Sequence, residues 1–100
     1  MTLFWFSELS TSKVRPAIVV GAPHTSVDAI IVPLTSRTHS LLGGEFVLAQ
    51  WSAAGLNVAS AIKRGVYTVH PSLIVKTIGS LSVEDVEKLT TSLRLWLEIS

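Results

Sequence analysis

Two short stretches of the chain carry residues suited to chemistry on a phosphate. In Ser12-Lys13-Val14-Arg15-Pro16, a polar run beginning at Ser7 delivers a lysine and an arginine to the mouth of the β-branched run 16–20. A guanidinium presents a rigid fork of donors matched to two phosphate oxygens, and a place at the start of a strand fixes its aim. The same spacing equally suits an ordinary ion pair between Arg15 and Glu8. In Pro33-Leu34-Thr35-Ser36-Arg37-Thr38, hydroxyls cluster at the end of a second β-branched run, with Arg37 beside them. Hydroxyls so placed can donate to an oxyanion, and they can also simply build a Ser/Thr turn.

Other chemistries find little footing. Gly43-Gly44 belongs to neither GxGxxG nor GxxxxGK[ST], so it is read as a turn and not as a phosphate cradle. The absence of cysteine excludes disulfide scaffolds, thiol chemistry and cysteine-based zinc sites. His24 and Asp28 are four apart, but they lead into a strand and read as surface loop residues; His39 and His70 have no second ligand nearby. No Gly-x-Ser-x-Gly elbow supports a serine nucleophile. Neither a metal nor a cofactor is expected.

The elements that must position these residues are short. One hundred residues allow a single domain, 1–100. Strands are expected at 3–6, 16–20, 27–34, 45–49, 59–63 and 66–69, with 16–20 apolar enough to be buried on both faces and Pro33 marking an edge or bulge. The period then changes. Ser82 followed by Glu84 and Asp85 forms an N-terminal capping arrangement, and Val86, Leu89, Leu93 and Trp96 recur at helical spacing, predicting an amphipathic helix over 83–98. Leu95 and Ile99 fall beside that stripe and widen it. The fold class is therefore α+β: a small barrel-like sheet of short strands with a C-terminal helix.

Composition narrows the partners. The chain is 48% apolar and only 15% charged, so apolar surface is expected to be left over for a partner, most simply a second copy in a homodimer. A net charge of +1 excludes polybasic attraction to nucleic acid. The charge is uneven, however, with six basic against three acidic residues up to position 80 and two against four beyond it. A local groove built from Lys13, Arg15, Arg37, Lys63 and Arg64 fits that imbalance. Trp5 stands between Phe4 and Phe6, so alternation turns it to the opposite face, where it either packs or stacks on a base; Trp51 and Trp96 read as core or interface residues. The first eight residues carry no basic leader, and no apolar run reaches membrane-spanning length, so a soluble cytoplasmic protein is expected.

Taken together and in order, these stretches resemble the PemK/MazF family of toxin endoribonucleases. The resemblance is carried by Phe4-Trp5-Phe6-Ser7-Glu8-Leu9, by Ser12-Lys13-Val14-Arg15-Pro16-Ala17-Ile18-Val19-Val20, and by Ile31-Val32-Pro33-Leu34-Thr35-Ser36. It continues through Trp51-Ser52-Ala53-Ala54-Gly55-Leu56 and Ile78-Gly79-Ser80-Leu81-Ser82 into the helix. It implies an SH3-like barrel of about five to seven strands that dimerises, cuts single-stranded RNA at short preferred sequences without a metal, and is neutralised by a cognate antitoxin. It also implies a first strand truncated at its N-terminus relative to the family's. Carried over by position, Arg15 is the active-site arginine and Thr35 the active-site threonine, with Ser12, Lys13, Ser36, Arg37, Lys63 and Arg64 around the RNA. Two local differences stand out: residues 10–14 hold neither His nor Glu, and Lys63-Arg64-Gly65 supplies no acid. A non-catalytic RNA-binding or antitoxin-binding barrel is the rival implication. A gyrase-poisoning relative is disfavoured, because Trp96 is followed by Leu97-Glu98 where that class has Trp-Gly-Ile.

Overall fold

The computed structural model describes residues 1–8, 13–21 and 28–98. Its strands are β1 (Thr2–Ser7), β2 (Val14–Gly21), β3 (Ala29–Thr35), β4 (Ala61–Ile62), β5 (Tyr67–Val69) and β6 (Ile74–Ser80), followed by one helix, α1 (Val83–Leu97). All pairings are antiparallel. The order is β4-β3-β2-β1-β6, and β5 also pairs with β3, so the sheet curls into a barrel-like shape without closing through hydrogen bonds. Register shifts on the β1–β6 and β2–β3 pairs bend it, as an extra residue on one strand does.

β2 lies between β1 and β3 and is buried on both faces at its centre, with Ala17 and Ile18 adjacent and both inaccessible. That matches the continuous apolar run. The inner face contributes Leu3, Ile18, Val32 and Leu34 to the main core, which Leu48, Ile62 and Leu89 complete. On the other face Ala17, Ala29 and Ile31 form a smaller cluster covered by Phe6, Val19, Val69 and Ile74. Pro33 sits where the outer ladder of β3 breaks, between the Ile31–Tyr67 and Leu34–Ile62 pairs. Its missing N–H falls in that gap, and its carbonyl accepts from Lys63 N at 3.0 Å.

α1 begins as the sequence predicts. Ser82 Oγ accepts from Asp85 N at 3.2 Å, and Leu89 is buried with Val86, Leu93 and Trp96 packed against the same core. Leu95 does not widen the stripe, being 60% exposed, because it points away from the sheet; Ile99 lies outside the described residues. The helix also grips the Gly43-Gly44 turn, with Trp96 Nε1 donating to Gly43 O at 2.9 Å and Ser92 Oγ to Gly44 O at 2.6 Å.

Three strand expectations change. Segment 45–49 runs beside β4 but forms only the isolated bridge Val47–Ala61, because the chain turns away where Asp85 takes the next two amides. Segment 59–63 shrinks to the two residues of β4 as Lys63 N leaves for Pro33 O. β6 is a full strand that local patterning did not single out, since Lys76, Thr77 and Gly79 dilute its β-branched residues. Gly79 is required there by close approach: a Cβ would stand 2.1 Å from Ala54 O. The turn 50–55 thereby packs directly on the β6 backbone.

Asp85 is the strongest local tie. Although fully buried, it accepts from Ala49 N at 2.9 Å, Gln50 N at 3.0 Å and Ser82 Oγ at 3.1 Å, joining the helix start to a loop 35 residues away in sequence. Bonds to a charged acceptor are worth about 1.5–3 kcal/mol each, and stranding their donors costs more than the bonds contribute. Asp85→Ala is expected to destabilise the fold by about 3 kcal/mol and lower Tm by roughly 10 °C or more. Asp85→Asn, with one acceptor oxygen, should fall in between, as measured by thermal and urea melts.

Candidate active site

Arg15 and Thr35 are twenty residues apart in sequence and are neighbours in the sheet. The β2–β3 ladder ends at the Ala17–Pro33 pair, and Arg15 and Thr35 each stand two residues beyond it at the same end of the two strands. On the other side of β2, Arg15 pairs directly with Phe6 of β1. The start of β2 and the ends of β1 and β3 therefore meet at one rim of the sheet.

Two open grooves converge on that rim and share Arg15, Leu34 and Thr35. The first, of about 520 Å³, is lined by Trp5, Lys13 and Ser36 on the strand side and by Asn57, Val58 and Ser60 across from them. The second, of about 460 Å³, runs past Phe6, Glu8 and Pro33 to Lys63 and Tyr67. Arg15 and Thr35 stand at their junction.

The polar contacts prepare both side chains. Arg15 Nε lies 2.7 Å from Glu8 Oε1, so the ion pair allowed by the sequence does form, yet half of the Arg15 side chain stays exposed. An exposed pair of this kind contributes little to stability, and its effect here is orientation. Thr35 Oγ1 accepts from Arg37 N at 3.1 Å, the Ser/Thr turn that the cluster also allowed. Accepting that bond leaves the hydroxyl proton available to donate, so the turn aims the group without consuming it.

The remaining expected residues distribute unevenly. Lys13 and Ser36 line the first groove and Lys63 the second. Arg37 and Arg64 are exposed but line neither, and Ser12 lies outside the described residues, as does His24. Sequence reasoning missed Glu45, Asn57 and Tyr67. Trp5 is half-buried and borders the first groove, while Trp51 and Trp96 pack on the core. His70 has a local task, its Nδ1 accepting from Ser72 N at 3.1 Å at the short 3₁₀ turn Pro71–Leu73.

Glu45 supplies the acid that the Lys63-Arg64-Gly65 segment lacks in its own sequence. Its two oxygens accept from Leu42 N and Arg64 N, both at 2.7 Å, so it clips the loop after Thr35 to the loop carrying Lys63. The Arg64 and Leu42 amides hold its carboxyl below the ordinary glutamate range against the opposing effect of burial, with the charges of Lys63 and Arg64 adding to the lowering.

This arrangement has relatives. A family model described as PemK-like, MazF-like toxin of type II toxin-antitoxin system matches residues 3–97. The chain belongs to this family. Members are toxins and generally endoribonucleases. Among solved structures, the Mycobacterium tuberculosis toxin MazF-mt6 superposes with a TM-score of 0.81 at 15% identity, covering 100% of this chain and 99% of that one. An endoribonuclease in complex with its cognate antitoxin, from a mycobacterial species, gives a TM-score of 0.79 at 15% identity over 99% of this chain and 94% of that one. No curated protein sequence matches significantly. At such identities the superpositions establish the shared fold. Among the described residues no helix is long and apolar enough to cross a membrane.

The Glu45 clip has a pH signature. A carboxyl whose pKa is lowered by folding stabilises the fold above the unfolded pKa, and that contribution disappears as pH falls through the folded one. Glu45→Gln should therefore be less stable than the parent at neutral pH. The gap should shrink below the ordinary glutamate pKa of 4.5 and close at more acid pH, in urea melts of both proteins.

Proposed function

We propose that this protein is the toxin of a toxin–antitoxin pair and cleaves single-stranded RNA at the Arg15–Thr35 rim. The observation that carries this reading is the convergence of a half-exposed guanidinium and an aimed hydroxyl at the junction of two grooves. Family membership supports the reaction class, and the antitoxin complex of a structural neighbour supports the partner.

The chemistry follows from what the two side chains can do. The ribose 2′-OH attacks the adjacent phosphorus and loses its proton to a base, the 5′-oxygen departs with a proton, and the products are a 2′,3′-cyclic phosphate and a free 5′-OH. Negative charge grows on the non-bridging oxygens as the attack proceeds. Arg15 stabilises that charge with its guanidinium, and Thr35 donates a hydrogen bond to the same phosphate. A guanidinium held in place by Glu8 needs little rearrangement when the charge appears, which is the source of the rate gain. No step requires a metal. Lys13, Ser36, Lys63 and, farther out, Arg37 and Arg64 attract and seat the flanking backbone. The protein acts in the cytoplasm, where its RNA substrate is, and as a homodimer whose interface takes up exposed apolar side chains.

Purified protein is expected to cut single-stranded RNA in excess chelator, leaving 2′,3′-cyclic phosphate ends. Arg15→Ala and Thr35→Ala should each lower kcat by about 10²–10³-fold, the loss typical of one oxyanion donor, with unchanged melting curves. Intact RNA at high concentrations of folded protein would overturn the reading. Sedimentation is expected to show a dimer, and a strict monomer would refute that part.

A further inference from the structure

Tyr67 is the only tyrosine of the chain, and the function proposed above gives it no task. It pairs with Ile31 on β3 and lies in the second groove together with Lys63, Arg15 and Thr35. Its side chain is large yet 56% exposed. The ring is not loose on the surface. Gly65 holds a φ of +148°, and a Cβ built on it would stand 2.7 Å from Tyr67 Cε2 and 2.9 Å from the hydroxyl oxygen. The ring thus lies directly against a bare backbone segment that only glycine permits. One side of the tyrosine is backed and the other is open.

A backed, exposed ring resembles the surface on which an unpaired base stacks, because a base brings a flat π-face of nearly its own size. Burial in a protein core does not explain it, since more than half of its surface remains open. Three further features favour a nucleotide. The groove is continuous with the Arg15–Thr35 junction, so a strand with a phosphate there continues into it. Lys63 stands in the same groove, offering a point charge for the next phosphate. The position is also set to one side of the junction: Tyr67 pairs with Ile31, four residues before Thr35 on β3, or about 13 Å of strand between the two backbones.

We propose that the second groove is a nucleotide subsite of the RNA track, in which Tyr67, braced by Gly65, stacks on an unpaired base flanking the cleaved phosphate while Lys63 holds that nucleotide's backbone. This rests on the reading of the Arg15–Thr35 rim as an RNA site. It adds a specific division of labour. The ring senses the base and the ammonium senses only the phosphate.

That division can be measured without cleavage. The probe is a fluorescein-labelled, fully 2′-O-methylated random-sequence RNA decamer, which cannot undergo 2′-OH attack, together with an abasic sugar-phosphate strand of the same length. Tyr67→Ala is expected to weaken anisotropy-measured binding of the base-bearing decamer about tenfold or more and to leave the abasic strand unaffected. Tyr67→Phe should bind like the parent. Lys63→Ala should weaken both strands and reduce the slope of log K against log salt by about 0.7, the value of one phosphate contact on a single strand. Melting curves of each variant establish that it is folded. Unchanged binding of the base-bearing strand by folded Tyr67→Ala, or equal weakening on both strands, would overturn the subsite and leave the ring to a protein partner. Because binding and cutting are read separately, base-dependent loss in a protein that never cleaves unmethylated RNA would refute the catalytic reading and keep the subsite. Normal cleavage with no base-dependent loss would do the reverse.

Discussion

The site depends on the register of three antiparallel strands. Phe6 opposite Arg15, and Ala17 opposite Pro33, bring the end of β1, the start of β2 and the end of β3 to one rim. In a pleated sheet a slip of one residue turns every side chain to the other face. Such a slip on β2 would put Ile18 among Phe6 and Ile31 and send Ala17 into the main core, leaving a cavity where Ile18 now fills space. Both clusters on β2 therefore enforce the same alignment. The position of Arg15 follows from packing several residues away, and no contact of the arginine itself is needed to specify it.

Three acids then refine what the sheet places. Asp85 fastens the helix start to the 49–50 turn, Glu45 ties two loops together through backbone amides, and Glu8 meets the Arg15 guanidinium. Asp85 and Glu45 bind mainly to N–H groups whose positions are fixed by the chain. Such bonds hold loops that have no regular ladder of their own, and the loop that Glu45 holds at Arg64 carries Lys63 into the second groove. The Glu8 contact differs because both partners are partly exposed, so it orients Arg15 while leaving it able to engage a phosphate.

The strand ends that carry Arg15 and Thr35 are legible in the sequence as polar margins of β-branched runs, but it is the resemblance to the family, and not the local pattern, that joins the two residues in one site. α1 was legible too, because Ser82 and the following acids mark its start and the 86–89–93–96 stripe marks its buried face. Segment 45–49 departs from its strand-like pattern because its fate is decided by Asp85, and no local pattern announces a bond spanning 35 residues. β6 was diluted by polar residues and a glycine whose reason, the approach of Ala54 O, is wholly tertiary. Glu45 and Tyr67 carry no sequence signal for a related reason. Each acts through a backbone segment, Arg64 N or Gly65, which side-chain motifs do not describe.

The charge balance constrains how such a surface can select its ligand. At a net charge of +1 the protein gains little from long-range attraction, and the cations near the rim are few: Lys13, Arg15 and Lys63 line the grooves, with Arg37 and Arg64 exposed beyond them. Counterion release from so few contacts gives modest affinity and carries no sequence information. Any preference for particular RNA sequences must then come from groups that meet the bases. Trp5 borders one groove and Tyr67 the other, on opposite sides of the Arg15–Thr35 junction, and Asn57 adds an amide to the first. An aromatic ring loses little side-chain freedom on contact and offers a large flat area, so it contributes binding where charge is scarce. The low charge that discourages a nucleic-acid role at first sight is thus compatible with one whose selectivity rests on rings and amides, with the arginine reserved for the phosphate.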